Sequence, residues 1–539
     1  MYQILILLLT TVLISCTPSA QETQTADIRK PNGADSSTLD LLKETDRILI
    51  DLDSDQAFSI NSCPAYLSNI YLSALNLDPK RFHQDQIKKD WMKVYRQLWL
   101  IRVKLHKRLQ EFTKQTMQQN PTAYAQDKVL LRCIDNARNA FRLARYVEDY
   151  LAEYLGNQPQ DFDLPEGKKP EIPIPFENPE SPWTVINPLF KQVTLKSGDL
   201  IISRGNAYSS AAIARIVEID SQFSHLAMIY FPSGSQKEIS IQQALNSKDV
   251  LVLEAHIEIG STVRSFADYA KDGNARNLLF RFPDAEVAHQ AAKKSHDYLQ
   301  DYRKKAHQAD RRRFSESDVN YSVPYDFKMI LSKANEVFCT EVGYYGFNEV
   351  GIKIPTFQSQ INPKLDLVKR LGIEGSQIFA PGDMELDHRF QMIAEFRNLR
   401  KLKGLRMKDM ALTSLLAWMD IGYVFAPIPP SVFRSTIAWI SRQLDFKFVK
   451  NQLPKNMNTK VLNTIFTLDN VTSRLEAKLV EKDKAFKVVN QGLLMTFSTG
   501  LKYLESIRQQ DRQLYLDGKA PLFHWEFRPA NLQPKPVKN

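Results

Sequence analysis

Val337-Phe338-Cys339-Thr340-Glu341-Val342-Gly343 is the stretch on which the fold turns: an apolar run becomes a helix, and a cysteine stands at the change. Far upstream, Phe223-Ser224-His225-Leu226-Ala227-Met228-Ile229-Tyr230 puts a histidine at the head of an apolar strand. A thiol at a helix N-terminus and an imidazole on a strand edge are the parts of a cysteine nucleophile. The helix end is expected to lower the thiol pKa, and the imidazole to take its proton. Glu341, in the first turn, complements the positive end of the helix dipole. Gly343 and Gly346 leave that helix without side chains at two places. Glycine inside a helix costs about 1 kcal/mol against alanine, a cost that fits a helix packed tightly on a sheet. Gly351 is the expected stop. The amide of Cys339 is an expected oxyanion donor, because the first N–H groups of a helix have no partner within it.

Working outward, Val250-Leu251-Val252-Leu253-Glu254-Ala255-His256 reads as a further strand, after the turn Lys196-Ser197-Gly198 and the strand it opens. Side chains alternate along a strand, so Glu254 and His256 point the same way. Glu254 is placed to orient His225 through its second ring nitrogen, and His256 is the competing orienter. A lone cysteine in an apolar stretch is ordinarily buried filler. Its company, His225 and Glu254, argues for chemistry. His225, His256 and Cys339 have no compact ligand spacing, so neither a metal nor another cofactor is expected. His289, His296, His307, His388 and His524 lie in polar or helical contexts and read as surface.

Composition is that of ordinary globular protein: 539 residues, 43% hydrophobic and 24% charged, enough for two or three domains. Residues 38–157 have helical periodicity and read as a bundle, a spacer or protein-docking module. Prolines break the pattern over 158–189, an extended linker. Short β-rich runs at Asp199–Ser203, Leu226–Phe231, Val250–Ala255 and Leu278–Phe282, followed by an amphipathic helix over Ala285–Ala306, give an α+β class. Residues 391–539 read as a C-terminal helical module. Its apolar stretch from Ala411 to Ile440 is interrupted by Asp420, Arg434 and Pro427, Pro429 and Pro430. Core of that module is the expectation, with a hairpin lying on the membrane as the alternative.

Net charge is +10, with clusters at Arg303-Lys304-Lys305 and Arg311-Arg312-Arg313. These are ordinarily a solvated helix end and loop. The sharper reading is contact with anionic envelope material or lipid headgroups. No groove-reading motif is present, and nucleic acid is not expected as a partner.

The first 15 residues hold an apolar run too short to span a bilayer, the pattern of an export signal. Leu13-Ile14-Ser15-Cys16 resembles a bacterial lipobox, though Tyr2-Gln3 lacks the usual positive charge. The resemblance implies lipidation of Cys16, with a plain cleaved signal and an uncleaved anchor as alternatives. Residues 16–37 then read as a flexible tether. Thr17 is not an acidic sorting residue, so an outer-membrane anchor facing the periplasm is expected. An exported chain permits a disulfide. Cys63 and Cys133 are the right number for one, against two buried free thiols.

Ser197-Gly198-Asp199-Leu200-Ile201, Ser224-His225, Leu253-Glu254-Ala255, Pro324-Tyr325-Asp326 and Phe338-Cys339-Thr340-Glu341, in that order, resemble the YiiX-like, circularly permuted NlpC/P60 papain-fold hydrolases. The later Ala380-Pro381-Gly382-Asp383 is similar to the close of that domain. The likeness covers residues 190–390. It implies a permuted papain-like domain with an antiparallel sheet and packed helices. Cys339 is then the nucleophile, His225 the base and Glu254 the orienting residue, with Tyr325 and Asp326 near the substrate cleft. The implied substrates are cell-wall peptides or acyl amides. An acyltransferase acting on lipid esters, or a scaffold lipoprotein without catalysis, are the other readings. The helical flanks and the basic insertion near 303–318 have no counterpart in a minimal domain of this kind.

Overall fold

The computed structural model describes residues 41–54, 62–75, 91–119, 127–156, 176, 181, 183–235, 237–257, 259–309, 322–331, 335–426, 459–490 and 492–533. The export signal, Cys16, the tether, Arg311-Arg312-Arg313, most of the proline stretch and the segment from Pro427 to Ile440 lie outside the described residues.

Seven antiparallel strands carry the middle of the chain: β1 (Thr184–Ile186), β2 (Leu200–Arg204), β3 (His225–Tyr230), β4 (Leu251–His256), β5 (Gly260–Ser265), β6 (Arg276–Arg281) and β7 (Gln391–Arg397). They lie in the order β1-β7-β6-β2-β3-β4-β5. Alternation sorts the side chains into two layers. Leu200, Leu226, Met228, Leu253 and Phe280 face one core, and Ile201, Ala227, Ile229, Val252 and Leu279 face the other. Both faces are buried, which is why β3 and β4 read as nearly continuous apolar runs.

Helices complete the α+β architecture. Among the described residues four precede the sheet: α1 (Leu41–Asp53), α2 (Cys63–Leu75), α3 (Trp91–Gln119) and α4 (Lys128–Gly156). Two cover its first face, α5 (Ala285–Ala309) and α6 (Glu341–Glu349). Three follow among the described residues: α7 (Leu399–Asp420), α8 (Thr459–Val489) and α9 (Phe497–Leu516). Cys63 on α2 and Cys133 on α4 are joined, their Cα atoms 5.6 Å apart. Most of the described part of the apolar C-terminal stretch is buried, Leu412 and Leu415 on α7 being fully enclosed, while Ile421 just past the helix is exposed. No described helix is long and apolar enough to cross a membrane.

Two expectations about organisation need correcting. The sheet does not end at residue 390: β7 opens the segment assigned to the C-terminal helical module, and β1 lies inside the proline-rich stretch. Nor is the N-terminal bundle a spacer. Arg102 of α3 makes buried ion pairs with Glu148 of α4 at 2.8 Å and with Glu395 of β7. The ring nitrogens of His106 lie 2.7 Å from the carbonyls of Glu385 and Phe390.

The glycines of α6 act as their spacing suggested. A Cβ on Gly343 would sit 3.1 Å from Leu226 and 3.4 Å from Leu200, the floor of the sheet. One on Gly346 would overlap the Ala291 carbonyl and the Ser295 hydroxyl of α5. Gly351, at φ +83°, takes the left-handed turn after the helix. Gly346→Ala is therefore expected to destabilise the fold by about 1–3 kcal/mol, since backbone cannot give way as a flexible side chain can. A lowered midpoint in urea unfolding checks this, and Gly351→Ala, where space is open, separates crowding from φ strain.

Candidate active site

The turn at Ser197-Gly198-Asp199 sets β2 beside β3. Gly198 adopts φ +88° and its amide donates to the Ile229 carbonyl at 2.8 Å. Asp199 is buried, and Arg281 donates to its two carboxylate oxygens at 2.9 and 2.8 Å. This motif builds the sheet.

Cys339 lies just ahead of α6, whose N-cap is Thr340. The Glu341 carboxylate accepts from the Phe338 amide at 3.0 Å and so ties down the approach to the helix. The thiol is 5% exposed and donates to the Ser224 carbonyl at 3.7 Å. The amides of Leu226, Thr340 and Cys339 and the Tyr325 phenol also address the sulfur. Burial pushes the thiol up to about 11, and these donors only partly oppose it. The expected lowering by the helix end is thus overturned: the sulfur sits outside the first turn, and desolvation of a thiolate outweighs a dipole acting from there.

His225 stands at the head of β3, 15% exposed, with Nε2 2.8 Å from Glu254 Oε2. Glu254 on β4 is fully buried. Its other oxygen takes His256 Nε2 at 3.2 Å and the Nε–H of Arg264 on β5. Burial alone would raise this carboxyl, but His256 and His225 hold it well below the usual carboxylate range. Burial lowers the His225 pKa, outweighing the opposing hydrogen bond from Glu254. At neutral pH the ring is therefore neutral. With its Nε2–H given to Glu254, Nδ1 is the nitrogen left with a lone pair. His256 stacks on His225, ring centres 4.8 Å apart and planes 19° apart. Both imidazoles share one carboxylate, so His256 does not displace Glu254 as orienter.

No metal was expected because His225, His256 and Cys339 lack compact spacing; the fold assembles a different set, without Cys339. His225, Glu254 and His256 bring their ligand atoms within 4.8 Å of one another. Strand pairing does this, not sequence spacing. The chemistry of the cluster disfavours a cation, however. Glu254 already accepts from three donors, and Arg264, anchored in turn on Asp272 at 2.8 Å, is a permanent positive charge on it.

The two halves of the site meet at the head of β3. Leu226 lies under Gly343 on the α6 side. His225 alternates toward Glu254 and Arg264, whose guanidinium lies 5.5 Å from the Tyr269 ring. The sulfur therefore contacts backbone on both sides of His225, and its hydrogen bond goes to Ser224 and not to the imidazole. Tyr325, expected near a substrate cleft, turns its phenol to the sulfur. Asp326 does not fit a substrate-binding role: buried, it accepts from the amides of Lys328 at 2.9 Å and Ile330 at 3.1 Å and closes its own loop. Gly382 packs on the Ser221 backbone, and Asp383 accepts from Arg138 and Ser359. Two histidines read as surface are buried: His289, bonded to Ser197 at 2.9 Å, and His524, bonded to Asp511 at 2.7 Å.

Arg264 was not legible, because an arginine in a polar edge strand has no signal that names its partner. Comparison with protein-family models, curated proteins and solved structures finds no match to this chain.

Proposed function

We propose that this chain is a cysteine hydrolase of the permuted papain-like, NlpC/P60-related class, acting on an amide bond of a cell-wall peptide or acyl amide. We place it at the bacterial envelope, tethered through a lipid on Cys16, as the N-terminal motif suggests. One observation carries the reading. A thiol rests on the peptide that precedes an imidazole, and that imidazole is already oriented by a buried, ionised carboxylate.

In the resting state both partners are neutral, a thiol with a raised pKa and a histidine with a lowered one. For this chemistry Sγ must leave the Ser224 carbonyl and reach His225 Nδ1 around the head of β3, because the imidazole lies with Glu254 on the sheet face away from α6; it then gives up its proton and attacks the amide carbon. The amides of Cys339 and Thr340 receive the oxyanion. Glu254 stabilises the imidazolium, which then protonates the departing amine and leaves a thioester on Cys339. Water, deprotonated by His225, releases the acid and restores the thiol.

The sign of the pH dependence follows. His225 acts as a base only when neutral, and its pKa is lowered, so the rate falls on the acid side of the ordinary histidine value. An unassisted thiol titrating near 11 would react about tenfold faster per pH unit up to that value. Alkylation of Cys339 by iodoacetamide, followed by peptide mass spectrometry, is expected to be nearly flat between pH 7 and 9. A tenfold rise per unit across that range overturns base assistance.

A further inference from the structure

The segment before His225 is unusually constrained. Gln222 adopts φ +57°, and its amide donates to Asp220 at 2.8 Å. Asp220 is itself paired with Arg215 at 3.0 Å. The fully buried Phe223 ring has two guanidiniums beside it, Arg145 at 4.5 Å and Arg276 at 5.3 Å. The same two arginines grip Gln222. Arg145 donates to its side-chain oxygen at 2.8 Å, and Arg276 donates to its carbonyl at 2.7 Å. Both lead back to one helix of the N-terminal bundle: Arg145 belongs to α4, and Arg276 pairs with Asp149 of α4 at 2.6 Å. The next residue, Ser224, supplies the carbonyl that holds the Cys339 thiol, and His225 follows it.

We propose that Arg145 and Arg276 are positioning residues for the site, a clamp through which the N-terminal bundle fixes the Ser224 carbonyl against Cys339 and, with it, the backbone from which the His225 imidazole projects. This rests on the hydrolase reading above and adds to it: the helical bundle becomes part of the catalytic unit. Arginine suits the task. A flat guanidinium can lie on an aromatic ring and donate sideways at once, whereas an ammonium cannot. Arg276 reaches Gln222 and Phe223 from the sheet and Arg145 reaches them from the bundle, so loss of either arginine removes one side of this hold.

The test compares Cys339 alkylation by iodoacetamide at pH 7 with that at pH 10, in the full chain. The ratio of the two rates cancels changes in exposure and reports base assistance. Arg145→Lys keeps the charge facing Glu385 and loses the plane and the fork. Gln222→Asn keeps a residue at ease with positive φ and falls short of Arg145. Each is expected to lower the pH 7 to pH 10 ratio by about fivefold or more, toward the His225→Ala value, because small misplacements of a base are costly. Thermal unfolding confirms that the fold persists, and if Arg145→Lys fails to fold, Gln222→Asn decides. Wild-type ratios in the variants beside a lowered ratio in His225→Ala overturn the clamp and leave the base reading standing. A wild-type ratio in His225→Ala overturns both.

Discussion

Under the proposed mechanism, Cys339→Ala is expected to abolish turnover of an amide substrate and capture by a thiol-directed acylating probe, while His225→Ala is expected to retain capture at a strongly reduced rate. Removing the nucleophile deletes the covalent route, and only binding and the oxyanion donors remain. The loss expected is about 10⁴-fold or more. Removing the base leaves the nucleophile with a thiol whose pKa stands near 11, so little thiolate exists at neutral pH. General base assistance is worth about 10²–10⁴-fold, and that is the size expected for His225→Ala. Neither change should unfold the protein. The sulfur occupies a small volume, and a shortened His225 leaves Glu254 still bonded to Arg264 and His256. Circular dichroism and thermal melting check the fold, and active-site titration checks the chemistry. Turnover by Cys339→Ala at the wild-type rate would eliminate the covalent mechanism. Equal loss in Tyr325→Phe would move the phenol from a neighbour of the sulfur to a participant.

Much of this site was readable from the chain, because local rules govern its parts. The apolar run that Ser224-His225 opens, the alternation that pairs Glu254 with His256, and the glycines of the cysteine helix each report their own surroundings. Leu226 under Gly343 and Ala291 against Gly346 are what those glycines implied. What escaped depended on partners far away in sequence. β7 carries Glu395 and Arg397 at inward positions, and charges at core positions erase the apolar signal of a strand. They are tolerable there only because Arg102 and Glu148 arrive from the bundle. The rise in the thiol pKa escaped for a similar reason: a motif places a cysteine near a helix end but says nothing about how deeply it is buried. His289 and His524 were misread because a polar neighbourhood in sequence need not be an exposed one in space. Their partners, Ser197 and Asp511, come from other elements.

The same buried charges set the largest expected loss of stability. Arg102, Arg397, Glu148 and Glu395 are all within 3% of complete burial. Arg397 donates to Glu148 at 2.7 Å, lies 3.3 Å from Glu395 and reaches Asp149 at 3.0 Å. Arg397→Met would keep most of the volume and strand the carboxylates. Removing one partner of a buried pair costs about 3–5 kcal/mol, because the remaining charge is left without water or counter-ion. The pH dependence identifies the cause. Burial would raise the Glu395 pKa, but Arg102 and Arg397 hold it down to about 2. A carboxyl depressed below its unfolded value of about 4.3 contributes stability above that value and loses it as pH falls through the folded one. In Arg397→Met the depression is reduced, Arg102 remaining, so Glu395 takes up a proton in the folded state at a higher pH than in wild type. The deficit relative to wild type should then be greatest near neutrality and shrink below pH 5. Adding Glu395→Gln to Arg397→Met should restore part of the loss, a coupling that a double-mutant cycle by urea unfolding measures directly. If the deficit is the same at pH 4 and pH 7, and the second substitution adds its own cost in full, the bundle and sheet are held together by packing, and the buried ions are passengers in that interface.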